Sequence, residues 1–451
     1  MCSRMLKVLL VLLLTFGQIY LVAQSGNSPY SRLGIGDLSI TDFSHLRSLG
    51  GLTAAYASPF QTNLANPASL GLLSTTSFEI GFDATSSKYS FQNATESFWD
   101  GGLTYLSLAF PIFNPLNRLL DRKETDFNWG MSISLLPHSK VSHATEVEEA
   151  LPDVGTVVRQ YGGSGGTNKV SWGNGFKYRE FFFGINLGYL FGTISNERAV
   201  LFRDLILQFH DYVADEHSYR GFYWNGGFQY LLDLSKGKGE EDEREIESLT
   251  IGLHGHSSWS FRTLTDEFIA LKGATYGGLS DDIPDEETDT ISFGNDIQHK
   301  GKMPSEFGIG LVYRKGNKFL GGINFRTSGW ANYENEVDVG QFDNAWQLSF
   351  GAEYIPDANS YRFYHQRIRY RAGLEFGVDP RVIDGSDQIK NVSANLGFGL
   401  PIILSRQLSF INLGVEYGQH GGQIPIKENY FRFHVGVSLN NNLWFYKRKF
   451  N

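Results

Sequence analysis

Tyr430-Phe431-Arg432-Phe433-His434-Val435-Gly436-Val437-Ser438-Leu439 alternates apolar residues with polar or small ones from Phe431 onward. A side-chain period of two places the apolar set on one face of a β-strand and the polar set on the other. About ten residues is the length at which a tilted strand crosses a membrane. The segment therefore predicts a strand of an outer-membrane barrel.

The same alternation recurs along the chain after residue 75. Fourteen candidate segments carry it: 76–85, 87–92, 103–111, 127–136, 181–189, 221–233, 247–262, 305–315, 318–327, 346–354, 368–378, 392–400, 408–418 and 430–439. An even strand number suits a bacterial single-chain barrel. A soluble β-sandwich would also alternate, but aromatic girdles explain the tyrosines and tryptophans near strand ends more directly. We therefore predict an all-β fold, a transmembrane antiparallel β-barrel of about 14 strands.

Composition agrees with this class. The 451 residues include 51 glycines and 14% aromatic residues, but only 19% charged ones. Lipid-facing aromatic residues and a polar lumen would give this balance. No apolar stretch of about 18 residues occurs downstream of the first segment, so we expect no membrane-spanning helix.

The first segment has the layout of a secretory signal peptide. Arg4 and Lys7 precede the apolar residues 8–16, and Ala23 is a small residue at a plausible cleavage position. An uncleaved membrane anchor is the alternative, but the apolar run is short. Cys2, the only cysteine, would be removed with the signal, which leaves no disulfide or thiolate chemistry.

Charge argues against nucleic acid as a partner. Removal of Arg4 and Lys7 from the 39 basic residues leaves 37 against 48 acidic residues, a formal net charge of −11. Nucleic-acid binding would require a basic surface that releases counterions. The acidic runs 240–247 and 281–289 are typical of solvated loops. As calcium sites they lack the spaced ligands and central glycine of a calcium loop.

Charged residues of both signs occupy the polar face of the predicted strands. They are Arg314, Arg326, Glu353, Arg369, Arg371, Glu375, Glu416 and Arg432. This pattern predicts mixed charges inside the barrel. Such a lumen is either filled with water or packed against a plug.

The sequence does not favour an enzyme. His254 and His256 share a strand face, but no third or fourth metal ligand follows at a useful spacing. A polar lumen explains the pair better. No nucleophile elbow or phosphate-binding loop is present, although a lipase assembled from distant strands stays an alternative. We expect no catalytic residue, metal or cofactor.

The region between the signal and the first strong strand has a different character. Residues 25–74 are rich in glycine, serine, asparagine and proline, with too little alternation for strands and too many breakers for a long helix. Composition allows either a lumenal plug or a periplasmic linker.

Short motifs resemble the FadL/TodX family of outer-membrane transporters for long-chain fatty acids and hydrocarbons. Residues 49–71, with Gly50-Gly51 and Asn66-Pro67-Ala68, resemble the N-terminal hatch of that family, and the glycine-rich residues 161–166 are also similar. Residues 28–32 and 444–449 resemble the versions found in Bacteroidota.

The resemblance implies a fourteen-stranded barrel with an N-terminal hatch in its lumen. A hydrophobic substrate would enter from outside, bind an apolar pocket and leave sideways through a kinked strand into the membrane, which avoids a wet, charged pore. Asn63, Asn66, Pro67 and Ala68 match the hatch motif, where they contact ligand or only seal the barrel. The implied domains are a signal peptide at 1–23, a hatch or plug at 24–74, a barrel at 75–439 and a periplasmic tail at 440–451.

Two functional hypotheses follow. The first is a channel or transporter for hydrophobic small molecules such as long-chain fatty acids, gated by the hatch, with membrane lipid as the other contact. The second is a non-transporting barrel that docks or carries secreted or surface proteins. Predicted outward loops at 138–178 and 264–303 would suit either. Residues 430–439 would close the barrel on the periplasmic side, unless residues 443–450 add one more strand.

Overall fold

A computed structural model describes residues 28–39, 42–91, 94–113, 126–152, 155–202, 204, 209–235, 246–273, 288–337, 340–383, 387–404, 407–422 and 426–442. The predicted signal peptide at 1–23 lies outside the described residues, as do residues 443–451 and most of both acidic runs. Within the described ranges, the strands form one antiparallel sheet that closes on itself.

The described part of the chain contains fourteen barrel strands. They are β1 Thr76–Phe91, β2 Ala94–Pro111, β3 Phe127–Leu151, β4 Gly155–Tyr178, β5 Phe181–Phe202, β6 Phe209–Asp233, β7 Glu247–His256 continued by Trp259–Gly273, β8 Thr288–Met303 continued by Glu306–Lys315, β9 Phe319–Ser328, β10 Ala345–Tyr354, β11 Arg369–Ile383, β12 Asp387–Leu404, β13 Gln407–Gly421 and β14 Ile426–Asn441. Both parts of β7 pair with β6 and with β8, so each interrupted strand crosses the wall once.

The last strand closes the barrel against the first. β14 pairs with β1 from Ile426 opposite Phe91 to Asn441 opposite Thr76. Closure removes the free sheet edges of a β-sandwich, so the predicted transmembrane β-barrel of about 14 strands is confirmed. Residues 76 and 441 lie at the same end of the barrel, the inner end; the opposite end is the outer end.

Outward side chains form an apolar band around the wall. Phe183, Ile309 and Leu396 stand on three different strands and are each about half exposed. The alternate positions on the same strands, such as Asn186 and Asn395, face inward and are buried. This alternation is the one from which the barrel was predicted, and lipid is the solvent that such a band requires.

The wall is much taller on one side than on the other. β3 has 25 residues, whereas β9 and β10 have 10 each. Because about ten residues suffice to cross a membrane, β3 to β8 continue beyond the apolar band at the outer end. The predicted outward loops at 138–178 and 264–303 are therefore wrong, because both ranges consist largely of strand.

The expected strand count is right although two of its members are wrong. β4 contains the glycine-rich residues 161–166, where alternation fails, and it was predicted as part of a loop. Residues 76–85 and 87–92 were predicted as two strands, but residues 76–91 form β1 alone. Beyond the band both faces of a strand meet water, so the polarity pattern no longer marks a strand there.

A few short elements complete the fold. They are the 3₁₀ helices Pro29–Arg32, Pro67–Leu72, Trp330–Asn332 and Tyr364–Arg367, the α-helix Ser44–Arg47, and the two-residue strands Asp37–Leu38 and Glu334–Asn335. No helix in the described ranges is long and apolar enough to span a membrane.

Candidate functional site

Residues 42–74, the lumenal segment, pack against the inner face of the wall. Leu49, Ala54 and Asn66 on this segment have no exposed surface. Leu46, Leu49, Leu52 and Tyr56 form an apolar cluster with wall residues such as Leu320. The segment therefore has its own small core inside the barrel.

Wall glycines allow the backbone of the lumenal segment to approach closely. A methyl group added at Gly252 on β7 would lie 1.9 Å from the carbonyl oxygen of Ala54. At Gly130 on β3 it would lie 2.1 Å from the carbonyl oxygen of Leu70. Any larger residue at these positions would push the segment away from the wall, so part of the barrel's glycine content serves this contact.

The predicted hatch-motif residues hold the lumenal segment together and fasten it to the wall. Asn63 donates from Nδ2 to the carbonyl oxygens of Thr53 and Tyr56, at 2.6 and 2.9 Å. Asn66 donates to Ala54 O at 2.5 Å and to Leu253 O on β7 at 3.2 Å.

Pro67 and Ala68 begin the next turn of the same segment. The side chain of Asn66 accepts a hydrogen bond from the Ala68 amide at 3.1 Å, and Pro67 starts the 3₁₀ helix Pro67–Leu72. An asparagine cap followed by proline at the first helical position satisfies the free amides of a helix start.

Three predicted inward-facing residues meet on β10 and β11. Arg371 donates from Nε to Glu353 at 2.7 Å, and Arg369 lies 3.5 Å from the other carboxylate oxygen of Glu353. Arg371 also donates to Gln61 on the lumenal segment at 3.4 Å. The buried carboxylate is thus shared by two guanidinium groups, which offsets the cost of burying charge.

The other predicted inward-facing residues also lie on the inner wall. Arg314 donates to Ala57 O at 3.0 Å, and Arg326 lies 3.9 Å from Asp42. Arg432 lies 3.3 Å from Glu416 on β13. Glu375 lines the lumenal cavity. Arg314 and Arg326 therefore contact the lumenal segment directly.

His45 on the lumenal segment is buried and uncharged. Burial, together with the nearby Arg371 and Arg369, holds the pKa of His45 well below its usual range. Both ring nitrogens lack a hydrogen-bond partner among the described residues. The ring packs between Phe43 and Tyr56 instead, so it adds no charge beside the arginines.

Residues 28–39 lie higher in the lumen, towards the outer end. Arg381 on β11 donates to the carbonyl oxygen of Tyr30 at 3.1 Å and forms ion pairs with Asp37 and Asp379. Tyr30 donates from its hydroxyl to Ile426 O at 2.9 Å. Of these residues, only Tyr30 belongs to a motif recognised in the sequence, residues 28–32. Asp379 and Arg381 continue the polar positions of β11, which was the available signal for them.

A cavity of about 910 Å³ occupies the lumen on the outer side of the lumenal segment. Arg47, Leu64 and Ala65 of that segment line it. Its wall combines aromatic side chains with charged ones, and the charged residues include the paired Arg381 and Arg432. The cavity is therefore amphipathic rather than purely apolar.

The barrel wall has a lateral gap between β2 and β3. Residues 106–111 of β2 pair with residues 130–135 of β3, and no pairing between these strands continues towards the outer end in the described residues. The gap begins beside Leu103, an outward residue near the limit of the apolar band. Residues 100–104 and 136–140, on its two sides, line the cavity. The cavity and the gap are therefore continuous.

Local irregularities explain why the strands separate. β1 and β2 shift register between Gly81 and Phe82, and β3 shifts between Pro137 and Ser139. Asp37–Leu38 pairs with β3 at residues 139–140, where β2 is absent. Lys140 forms an ion pair with Asp100 across the gap. A β-bulge bends its strand, which is the physical cause of the divergence.

The two histidines considered as metal ligands lie on the inner wall. His254 is buried, and His256 lines the cavity. Among the residues that the structure describes, no group of three or more histidine, cysteine or acidic side chains could hold a metal ion.

Comparison with known proteins identifies the family of the chain and the fold of its barrel. A family model described as BamG matches residues 5–451. The chain belongs to the BamG family. No curated protein matches its sequence.

Solved structures place this BamG-family barrel in the fold of the FadL-type channels, as the sequence motifs predicted. A FadL homologue of Pseudomonas aeruginosa matches with a TM-score of 0.54 and 10% identity, covering 89% of this chain and 99% of that one. The toluene transporter TbuX of Ralstonia pickettii gives 0.51 and 10%, covering 88% and 97%. The monoaromatic hydrocarbon channel CymD gives 0.50 and 11%, covering 91% and 99%. At these identities the likeness concerns the fold.

Proposed function

We propose that this barrel moves hydrophobic small molecules, of the long-chain fatty-acid type, from its outer end into the membrane. The observation that carries the proposal is the lateral gap between β2 and β3, which opens from the lumenal cavity beside the apolar band. An apolar molecule that leaves sideways enters lipid directly and avoids water, which lowers the cost of its transfer.

The cavity wall suits a molecule with an apolar body and a polar head. Tyr89, Phe98, Tyr223 and Trp259 offer aromatic surface within the same cavity as the charged groups. The charges are largely neutralised by one another, as in the pair of Lys140 and Asp100 at the gap. Such pairing reduces the field that would repel an apolar body.

In this proposal the lumenal segment is a hatch that blocks the axial route. Its contacts through Asn66, Gln61 and Asp42 reach β7, β11 and β9, so it spans the inner half of the lumen. The inner end is periplasmic, since both barrel termini lie there, and the protein resides in the outer membrane. The solved structures described as a monoaromatic hydrocarbon channel and a toluene transporter share the fold, which supports a transport role.

A crosslink across the gap tests the lateral route. The double variant Asp100→Cys/Lys140→Cys, bridged by a short bis-maleimide, joins β2 to β3 where they separate. We expect uptake of a labelled long-chain fatty acid into cells carrying this barrel to fall to the level of cells without it. Treatment with a mono-functional maleimide, which adds bulk without a bridge, should leave most of the uptake.

The matched control joins the same two strands covalently where they already pair. Ser107 and Ser134 face each other on β2 and β3, with 2.7 Å between their hydroxyl oxygens. Both side chains are buried, so Ser107→Cys/Ser134→Cys is joined by a direct disulfide, and this bond should not change uptake. Full uptake by the bridged Asp100→Cys/Lys140→Cys variant would contradict the lateral route.

A docking function is the second candidate, favoured by the tall side of the wall. Ile291 and Phe293 on β8 stand beyond the apolar band and are 60% and 63% exposed. Exposed apolar surface outside the membrane is typical of protein contact sites. Purification of the barrel with a stoichiometric secreted or surface protein, and no uptake in any variant, would favour this candidate over transport.

A further inference from the structure

The outer surface of β10 to β14 carries an apolar groove of about 710 Å³ that is separate from the lumen. Tyr354, Tyr370, Phe398, Leu413 and Val435 form one side of it. These five residues are directly opposite one another in successive strands, so they make a continuous row across the wall. The groove therefore follows the hydrogen-bonding direction of the sheet.

A second row of small and apolar residues runs beside the first row and forms the floor and the other side of the groove. Ala352 pairs with Ala372, and the row continues through Leu396 and Val415 to Phe433. The two alanines make the groove deepest at the inner end, where the opposite row has two tyrosines. Four strand spacings give a length of roughly 20 Å.

The groove runs in a direction that suits an acyl chain in one leaflet of a bilayer. Tyr354 ends β10 at the inner end, whereas Val435 lies near the middle of β14. Barrel strands are tilted, so the row rises diagonally from the inner rim towards the middle of the apolar band. Half of the hydrocarbon core is about 15 Å thick, which a diagonal path of this length covers. A lipid chain of the inner leaflet would follow the same course.

A cationic connection lies at the inner end of the groove. Residues 355–368 join β10 to β11 and contain Arg362 and Arg367, with Asp357 as the only acidic residue. Tyr370 of the groove donates to His365 O at 3.1 Å. In the described part of the chain, neither guanidinium forms an ion pair with a carboxylate; Arg362 lies over the ring of Phe363, and Arg367 lies over the ring of Tyr364. This contrasts with the paired arginines of the lumen.

We propose that the groove binds an acyl chain of an anionic phospholipid from the leaflet at the inner end, with its phosphate on Arg362 and Arg367. Arginine binds phosphate through charge-assisted hydrogen bonds. A guanidinium without an ion-pair partner could therefore bind the lipid phosphate, while the apolar groove contacts the acyl chain. This site is independent of the proposed transport route.

Native mass spectrometry of the purified full-length barrel tests the site. Phosphatidylglycerol and phosphatidylcholine with identical acyl chains are added at equal concentration. We expect the wild-type barrel to retain one phosphatidylglycerol in preference to phosphatidylcholine. Arg362→Ala/Arg367→Ala should retain about tenfold less phosphatidylglycerol, with phosphatidylcholine unchanged. Ala372→Leu, which fills the groove, should reduce retention of both lipids.

Two matched variants separate the site from general lipid contact. Arg179→Ala removes an arginine from another inner-end connection, where it bonds to Asp126. Ala394→Leu enlarges an outward alanine of β12 that lies outside the groove. Both should retain lipid as the wild type does, and heat-dependent migration in gels should show every variant folded.

Three results would overturn the proposal. They are equal retention of the two lipids by the wild type, an equal loss in the control variants, or a protein that co-purifies with the wild type and is lost in Ala372→Leu. The last result would assign the groove to a membrane protein instead of a lipid.

Discussion

Arg371 connects three parts of the chain at one point in the lumen. It donates to Glu353 on β10, to Asn412 on β13 and to Gln61 on the lumenal segment. Its side chain has no exposed surface, whereas that of Arg179 at the inner rim is 61% exposed. The loss of one partner destabilises a protein strongly when the ion pair is buried and only weakly when it is exposed.

Replacement of Arg371 by methionine should therefore destabilise the barrel strongly. Arg371→Met leaves the buried Glu353 carboxylate with Arg369 as its remaining ion-pair partner, and we expect the free energy of unfolding to fall by about 3 kcal/mol or more. Arg179→Met should have little effect on stability, because its ion pair with Asp126 is exposed to solvent. Denaturant titration of the folded barrel, followed by heat-dependent gel migration, measures both. Equal effects of the two substitutions would contradict the assigned role of Arg371.

At the scale of elements, the lumenal segment depends on the glycines of the strands that surround it. Gly252 and Ala54 are the tightest example, because Ala54 O also accepts hydrogen bonds from Asn66 and Gln229. A shift of Ala54 would disturb several bonds at once. Gly102 on β2 has no atom within 4 Å of an added methyl group and provides a matched position.

Gly252→Ala should loosen the lumenal segment while the barrel stays closed. The added methyl group would meet Ala54 O, so the segment must move and its amides open more often. We expect backbone amides of residues 54–66 to exchange hydrogen at least about tenfold faster, as measured by mass spectrometry. Gly102→Ala should leave this exchange unchanged. Unaltered protection in Gly252→Ala would show that the close contact does not hold the segment.

The same elements show how far the sequence predicts the structure. Phe431 to Leu439 alternate because lipid and lumen impose opposite demands on one strand, so the membrane-crossing part of β14 was predictable. The outer halves of β3 and β4 have water on both sides, and no such constraint marks them. The lateral gap depends on which residues of β2 and β3 pair, a relation between distant positions. The register shifts beside Gly81 and Pro137 are local traces of it.

At the candidate site, the sequence predicted which charged residues face the lumen but did not predict which residues they contact. The inward positions of Arg314, Arg369 and Arg371 follow from the strand period. Their partners Ala57 and Gln61 lie on a segment with no regular pattern, so the sequence could not pair them. The cationic connection at Arg362 and Arg367 was missed because it lies between predicted strands.

At the scale of the whole molecule, the wall around the lumenal segment carries balanced charge. The acidic side chains include Glu79, Asp83, Glu306, Glu353, Glu375 and Glu416, and the basic ones include Lys169, Arg314, Arg326, Arg369, Arg371 and Arg432. Each sign is distributed over several strands. With the segment in place most of these charges bind it or one another; without it they would line a pore.

Deletion of residues 42–71 should therefore produce a conducting pore with little preference for cations or anions. The glycine-lined inner wall would be left without its filling, and the opposite charges on the pore wall would largely cancel at physiological salt. In planar bilayers we expect steady single-channel conductance that the full-length barrel lacks, and a reversal potential close to zero under a gradient of potassium chloride. A silent deletion variant that is folded by heat-dependent gel migration would mean that the segment does not block the lumen. A strongly selective pore would mean that these wall charges do not share one aqueous path, because a wall with balanced charge cannot discriminate strongly between ions of opposite sign.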